Sequence, residues 1–277
     1  MQEAGSRFAK QGLNFAALSY DPVETLRSFS ERMKISYPLL ADPGSDVIRR
    51  FQMVDTDNSG NNVPDYGARD TAYPGWFLID REGVVKERFL DPFWGDRYTA
   101  NNVIGKLFPE LNESSAPPQT TPHLSVRLTQ SDTVGSPGSR ISLRVQIAMS
   151  PGMHIYAPGA KGYRQVELLL DSSDAYDLRP ISYPPSEVLQ LKAINEEAPV
   201  YRGILQIGQD IVISVRRALD VKLPVQRDRS LPVEITGKLR YQACDDKECF
   251  PPVSVPLKWT FKIDRLDSQR APAELRR

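Results

Sequence analysis

Two different apolar periods divide this chain. In the first third, short apolar runs alternate with segments of helical spacing. Leu13-Asn-Phe-Ala-Ala-Leu18 is a short apolar run that predicts a buried strand. Asp21-Pro22-Val23-Glu24 follows, with Asp21 placed to cap, Pro22 at the first helical position and Glu24 completing a capping box. Val23, Leu26, Phe29 and Met33 recur near helical spacing and predict an amphipathic helix over 22–34. Asp42-Pro43 repeats the start signal ahead of Val47, Ile48 and Phe51, a second helix. Gly75–Asp80 predicts a buried strand, Arg81–Gly83 a turn, and Val84–Phe89 its hairpin partner. A last helix is expected from near Asp96 to Pro109. Such alternation means α/β.

Beyond residue 122 the period becomes two. Leu124, Val126 and Leu128 alternate with polar residues, as do Ile141, Leu143, Val145 and Ile147, then Val166, Leu168 and Leu170, then Ile211, Ile213 and Val215. Val253, Val255, Leu257, Trp259, Phe261 and Ile263 give the cleanest run. Many short strands with one apolar face, parted by Pro and Gly turns, predict an all-β sandwich. The expected organisation is an α/β domain over 1–112, a proline-rich linker over 113–122, a sandwich over 123–264 and a charged tail over 265–277.

Composition narrows the function classes. The chain has 277 residues, enough for about two domains at roughly 150 residues each. Lys and Arg number 35, as do Asp and Glu, so the formal net charge is zero, which argues against a nucleic-acid partner gripped through bulk positive charge. The longest apolar run is about four residues, far below the roughly 18 of a membrane-spanning helix. Met1–Phe8 lacks the basic start and apolar core of a signal peptide, so the chain is expected either to stay in the cytoplasm or to lack its targeting segment.

Chemistry concentrates at Tyr241-Gln-Ala-Cys244-Asp-Asp-Lys-Glu-Cys249-Phe-Pro-Pro, which holds both cysteines of the chain. It lies between strands predicted at 231–242 and 253–263, so four residues would form a loop bringing the sulfurs within bonding range. The residues alone leave several readings open: a disulfide stapling a hairpin, two free thiols, or a pair that exchanges electrons with partner proteins. A small closed loop removes little unfolded-state entropy, which weakens the stapling reading. Asp245, Asp246 and Glu248 disfavour a thiolate, and Lys247 opposes them.

Residues 123–263 resemble the N-terminal domain of the thiol:disulfide interchange protein DsbD, an immunoglobulin-like domain of the bacterial periplasm. The matching pieces are Pro151-Gly-Met-His154-Ile-Tyr156, Glu197-Ala-Pro-Val-Tyr201-Arg-Gly203 and Tyr241–Cys244 with Cys249-Phe-Pro-Pro252. The resemblance implies that Cys244 and Cys249 carry thiol-disulfide exchange. Electrons would come from a membrane-embedded partner and pass to thioredoxin-fold proteins. A cap around Glu197–Tyr201 would shield the pair, with Val200 at the position of the family's cap aromatic and Tyr201 beside it. The best-known members have five residues between the cysteines, and this chain has four.

The first 112 residues resemble the thioredoxin-like AhpC/TSA redoxin family at Leu18-Ser-Tyr-Asp21-Pro, at Tyr37–Ser45 and at Tyr73-Pro74-Gly-Trp-Phe-Leu-Ile-Asp80 with Gly83-Val-Val85. That family places a cis-proline at the position of Pro74. Its cysteine motif falls upstream of Met1, and residues 1–112 hold no cysteine, so no peroxidase activity is expected of this domain. The central strand between 13–18 and 76–80 is likewise missing, and a truncated gene product or a late start site is expected. Overall the expectation is a thiol:disulfide oxidoreductase of an extracytoplasmic redox pathway; the alternative is a non-catalytic extracytoplasmic binding module with a structural disulfide. No cofactor is expected. Asp55-Thr-Asp57-Asn-Ser59-Gly60 resembles half an EF-hand loop, but Tyr66 occupies the twelfth position, so a polar turn is expected. His154 reads as a loop histidine near a strand start rather than a zinc ligand with the two cysteines, and His123 as solvated.

Overall fold

The computed structural model describes residues 2–54, 72–91, 93, 95–111, 117–191, 196–215 and 231–264. These are mostly strand, with four short α-helices among the described residues. Two compact units emerge, one within Met1–Pro109 and one over Glu110–Arg265. The half-EF-hand segment, residues 113–116 of the linker and the tail from Arg265 lie outside the described residues.

The first unit runs α1 (Gln2–Lys10), β1 (Ala17–Ser19), α2 (Val23–Met33), β2 (Leu39–Ala41), α3 (Asp46–Arg50), β3 (Gly75–Ile79), β4 (Val85–Leu90), β5 (Arg97–Tyr98) and α4 (Ala100–Leu107). Helix α2 falls where its period predicts, but Asp21 is not its cap. Pro22 occupies that position without a side-chain bond, and the Asp21 carboxylate instead accepts from the Ser19 hydroxyl at 2.6 Å. Asp42 does serve α3, accepting from the backbone N–H groups of Asp46 (3.0 Å) and Ile48 (2.9 Å). Helix α4 starts later than expected, capped by Thr99, which accepts from the Asn102 N–H at 3.0 Å.

The expected buried strands differ most. β1 covers only the end of the apolar run and leaves Leu18 exposed, while β3 is half-buried. β1 pairs in parallel with β2, and β3 pairs antiparallel with β4, as two separate ribbons. The rings of Phe8, Phe15, Tyr37 and Trp76 pack between them, Phe15 lying 4.6 Å from Tyr37 and 5.5 Å from Trp76. The β3–β4 turn follows its sequence signal: Asp80 accepts from the N–H groups of Glu82 and Val84, and Gly83 takes the positive φ of 83° that the turn requires.

The second unit holds β6 (Gln119–Thr120), β7 (Leu124–Gln130), β8 (Val134–Gly135), β9 (Ser139–Met149), β10 (His154–Tyr156), β11 (Glu167–Leu170), β12 (Tyr176–Ser182), β13 (Glu187–Leu191), β14 (Glu196–Arg202), β15 (Ile204–Ile213), β16 (Leu231–Tyr241), β17 (Ala243–Cys244) and β18 (Val253–Ile263). Three sheets form, in the orders β12-β15-β9-β7-β6, β11-β16-β18-β8 and β13-β14-β10-β17. The alternating residues of β7, β9 and β15 meet those of β11, β16 and β18 in one core. Ile141, Val145, Ile147, Ile207 and Ile211 come from the first sheet; Leu168, Ile235, Leu239, Trp259 and Phe261 come from the second. β18 shows the period directly, with Val255, Leu257, Trp259 and Phe261 buried and the residues between them exposed. β6 belongs to the unit although it falls in the segment read as a linker: Gln119 pairs with Val126, and its side chain donates to the Pro256 carbonyl at 3.0 Å.

Candidate functional site

The third sheet builds the surroundings of the cysteines. Strands β16 and β18 are long partners paired from Leu231↔Ile263 to Tyr241↔Val253, and the cysteine loop projects beyond their paired end. There Ala243 and Cys244 leave β16's partner and pair instead with Ile155 and His154 of β10. Cys244 and Cys249 face each other as a bridge with a Cα–Cα distance of 4.0 Å and are joined as a disulfide. Four residues close the loop, as the spacing predicts. The Asp245 carboxylate accepts from the N–H groups of Lys247 (2.7 Å) and Glu248 (2.8 Å), and its own N–H donates to the Glu248 carbonyl. Those two backbone donors, helped by the Lys247 and His154 charges, hold the Asp245 carboxyl below the usual carboxylate range. Phe250 N–H donates to the Ala243 carbonyl, tying down the return strand.

The two sulfurs belong to unlike environments. Cys244 is 1 % exposed and packs with Tyr156, Ala160, Ala198 and Val200, with Tyr163 and Leu189 at the margin. Cys249 is exposed. Phe250, next to it, stacks on His123 at 4.0 Å, so His123, expected to be solvated, is half-buried against the disulfide loop.

The expected cap is a strand rather than a loop. β14 pairs on one side with β13 and on the other with β10, where Val200 opposes Tyr156. This ladder separates the two expected cap residues. Val200 faces Cys244, while Tyr201 turns into the main core and donates its hydroxyl to the Pro184 carbonyl at 2.9 Å. Tyr201 does not cover the disulfide, because successive residues of a strand point to opposite faces.

The same alternation brings in a residue that the sequence reading assigned to a loop. His154 opens β10, and its cross-strand partners are Cys244 on one side and Arg202 on the other. Its ring is 3 % exposed, meets Tyr156 edge-on at 5.5 Å, and has no hydrogen-bond partner at either nitrogen. Burial, reinforced by the Arg202 charge and opposed by Asp246 and Asp245, holds its pKa below the ordinary value of 6.5. The signal for this placement is present in His154-Ile-Tyr156, whose period of two sends Ile155 to the core and both flanking rings to the cysteine face. It becomes readable only once the segment is known to pair with the cysteine strand.

Pro74 belongs to the first unit, immediately before β3. Its peptide bond is trans, as are all bonds among the described residues, which corrects the cis geometry that the redoxin resemblance implies. The Tyr73 N–H is already engaged with the Met53 carbonyl at 2.7 Å, and a trans bond carries the ordinary X–Pro preference.

With the geometry described, comparison with known proteins gives two family matches. Residues 1–88 match the AhpC/TSA family, and residues 125–256 match "Thiol:disulfide interchange protein DsbD, N-terminal". The N-terminal part therefore resembles the redoxins, and the C-terminal part resembles the DsbD N-terminal domain. No curated protein matches the chain. Among solved structures, it is similar to the N-terminal periplasmic domain of ScsB from Proteus mirabilis, at 16% identity and TM-score 0.34, covering 59% of this chain and 55% of that one. It is similar to the reduced DsbD N-terminal domain of Neisseria meningitidis, at 15% identity and TM-score 0.27, covering 44% of this chain and 81% of that one. It is also similar to the GAE domain of yeast GGA1, at 10% identity and TM-score 0.27, covering 51% of this chain and 95% of that one. The chain thus spans about half the length of the ScsB domain.

Proposed function

We propose that this chain is a thiol-disulfide exchange protein whose Cys244–Cys249 pair cycles between disulfide and dithiol. The observation that carries the reading is the asymmetry of the pair: one sulfur-bearing residue open to solvent, the other sealed against Tyr156, Ala198 and Val200. A staple needs no such difference. An exchange site does, because the incoming thiolate must reach one sulfur along the S–S axis while the other departs. A partner thiolate attacks Cys249, the partner–Cys249 bond forms, the Cys244–Cys249 bond breaks, and Cys244 takes the electron pair. A second partner thiolate then releases Cys249 and completes a two-electron reduction. The reverse sequence reduces a client disulfide.

The partners in this reading are thioredoxin-fold redox proteins, with a membrane-embedded domain as electron donor. The compartment is the periplasm or another extracytoplasmic space, as the family match on residues 125–256 supports. No described helix is long and apolar enough to cross a membrane. The second unit is read as an immunoglobulin-like sandwich and the first as part of a thioredoxin-like domain.

A redox titration with thiol trapping tests the proposal. Cys244→Ser is expected to accumulate a mixed disulfide between Cys249 and a thioredoxin-fold protein, whereas Cys249→Ser is not. A potential well below about −300 mV, with no mixed disulfide formed, would establish the structural bond of the alternative binding module instead.

A further inference from the structure

The buried partner of the exchange pair poses a chemical problem. When the dithiol hands electrons to a client, Cys249 attacks first and becomes joined to the client. Cys244 must then attack Cys249 Sγ to release it. Only a thiolate attacks, and a thiol sealed among apolar side chains holds its proton more tightly than its ordinary value of about 8.5. The second step at neutral pH therefore needs a proton acceptor beside Cys244.

The groups facing that position leave one candidate. Arg202 from β14 and Lys247 from the loop are cations and accept no proton. Tyr156, from β10, stacks on Tyr163, and burial raises its hydroxyl pKa. The Asp245 carboxylate is committed to the Lys247 and Glu248 N–H groups. Asp246 and Glu248 lie on the exposed rim of the loop. His154 stands directly across the ladder from Cys244, which places their Cβ atoms about 5 Å apart on one face. It is buried, and neither of its nitrogens is bonded.

We propose that His154 is the proton acceptor and donor for Cys244, which deepens the exchange reading above and rests on it. In client reduction, the Cys244 S–H proton passes to a His154 ring nitrogen. The Cys244–Cys249 bond forms, the Cys249–client bond breaks, and the client sulfur leaves with the electron pair. The proton on His154 then returns to solvent. When the disulfide is reduced, protonated His154 gives its proton to Cys244 as that sulfur leaves with the bonding pair. A depressed histidine pKa suits the first direction, since the ring is neutral at pH 7 and ready to accept. The neutral ring offers one acceptor nitrogen, and neither nitrogen is engaged by another protein group, so that nitrogen is open to the Cys244 proton.

The test uses the reduced full chain and one equivalent of 5,5′-dithiobis(2-nitrobenzoate), followed by stopped-flow absorbance. One thionitrobenzoate leaves as Cys249 attacks, and a second as Cys244 closes the disulfide. His154→Gln and His154→Phe are expected to leave the first phase unchanged and to slow the second about 10²-fold at neutral pH. The second phase of the wild type is expected to titrate in the histidine range, and that of the variants in the thiol range. Equal second phases in wild type and variants, or equal slowing of both phases, would overturn the assignment. Should neither variant fold, the wild-type profile decides: titration only near or above about 8.5 overturns it. A wild type that shows no second phase refutes the exchange reading itself, which separates that failure from a failure of His154.

Discussion

In the proposed exchange the accessible sulfur is taken and the buried one leaves, so residue-scale burial around Cys244 would govern the chemistry. Val200 is the larger of the two β14 side chains, with Ala198, that cluster with Cys244. Val200→Ala removes two buried methyl groups and is expected to cost roughly 2 kcal/mol in urea unfolding, about 0.8 for each carbon plus a cavity term. The same variant should speed alkylation of Cys244 in the reduced protein; unchanged alkylation would show that Val200 is not the seal. His154 also links stability to pH. Its folded pKa lies below the unfolded value of 6.5, so as pH falls the unfolded chain binds the proton first. This contribution to stability is whole above about 6.5 and shrinks as pH drops toward the folded value. The urea midpoint should therefore fall between pH 7 and pH 5, and the fall should be smaller in His154→Phe. Asp245 does not confuse that window. Its depressed carboxyl contributes stability above the ordinary value of 3.8, lost only at lower pH as its folded value is passed.

At the scale of elements, the close approach of β11 to β16 fixes one residue. A Cβ on Gly237 would collide with the backbone of β11, at the Leu169 carbonyl oxygen and at Leu170 Cα. Backbone cannot yield as a flexible side chain does, so Gly237→Ala is expected to destabilise by about 1–3 kcal/mol, read from the shift in urea midpoint at unchanged slope. The β16–β18 pair carries the cysteine loop, and strain there should also alter the redox potential of the pair. Strands such as these were legible in the sequence, because a run like Val253–Ile263 has one face buried along its length. The short elements of the first unit were less so. In α2, Leu26 is buried while Val23, Phe29 and Met33 remain exposed, although all four share the predicted stripe. Periodicity reports which face is apolar, not whether anything covers it.

At the scale of the whole molecule, the two units differ in how much apolar surface they bury. In the second, more than twenty buried side chains form one cluster across two sheets. In the first, Phe8, Leu26, Ile48, Met53, Val103 and Ile104 are buried around two two-stranded ribbons, and such ribbons are marginal by themselves. Amide hydrogen exchange is expected to be slowest at Ile141, Val145, Ile207 and Leu239, and faster by orders of magnitude at Leu40 and Leu78. Equal protection in both units would contradict this ranking.

The sequence by itself determined the core strands β7, β9, β11, β16 and β18 of the second unit, the short loop that brings Cys244 within reach of Cys249, and the two family resemblances. These rest on local signals: alternation, turn residues and short motifs whose meaning does not depend on distant partners. Only the tertiary structure decided which cysteine is sealed, that Val200 faces the disulfide while Tyr201 serves the core, and that His154 stands beside Cys244. Each depends on pairing among β10, β14 and β17, segments as much as about 90 residues apart in the chain. Register between strands is set when their buried faces meet, and a single sequence read in order does not contain that meeting.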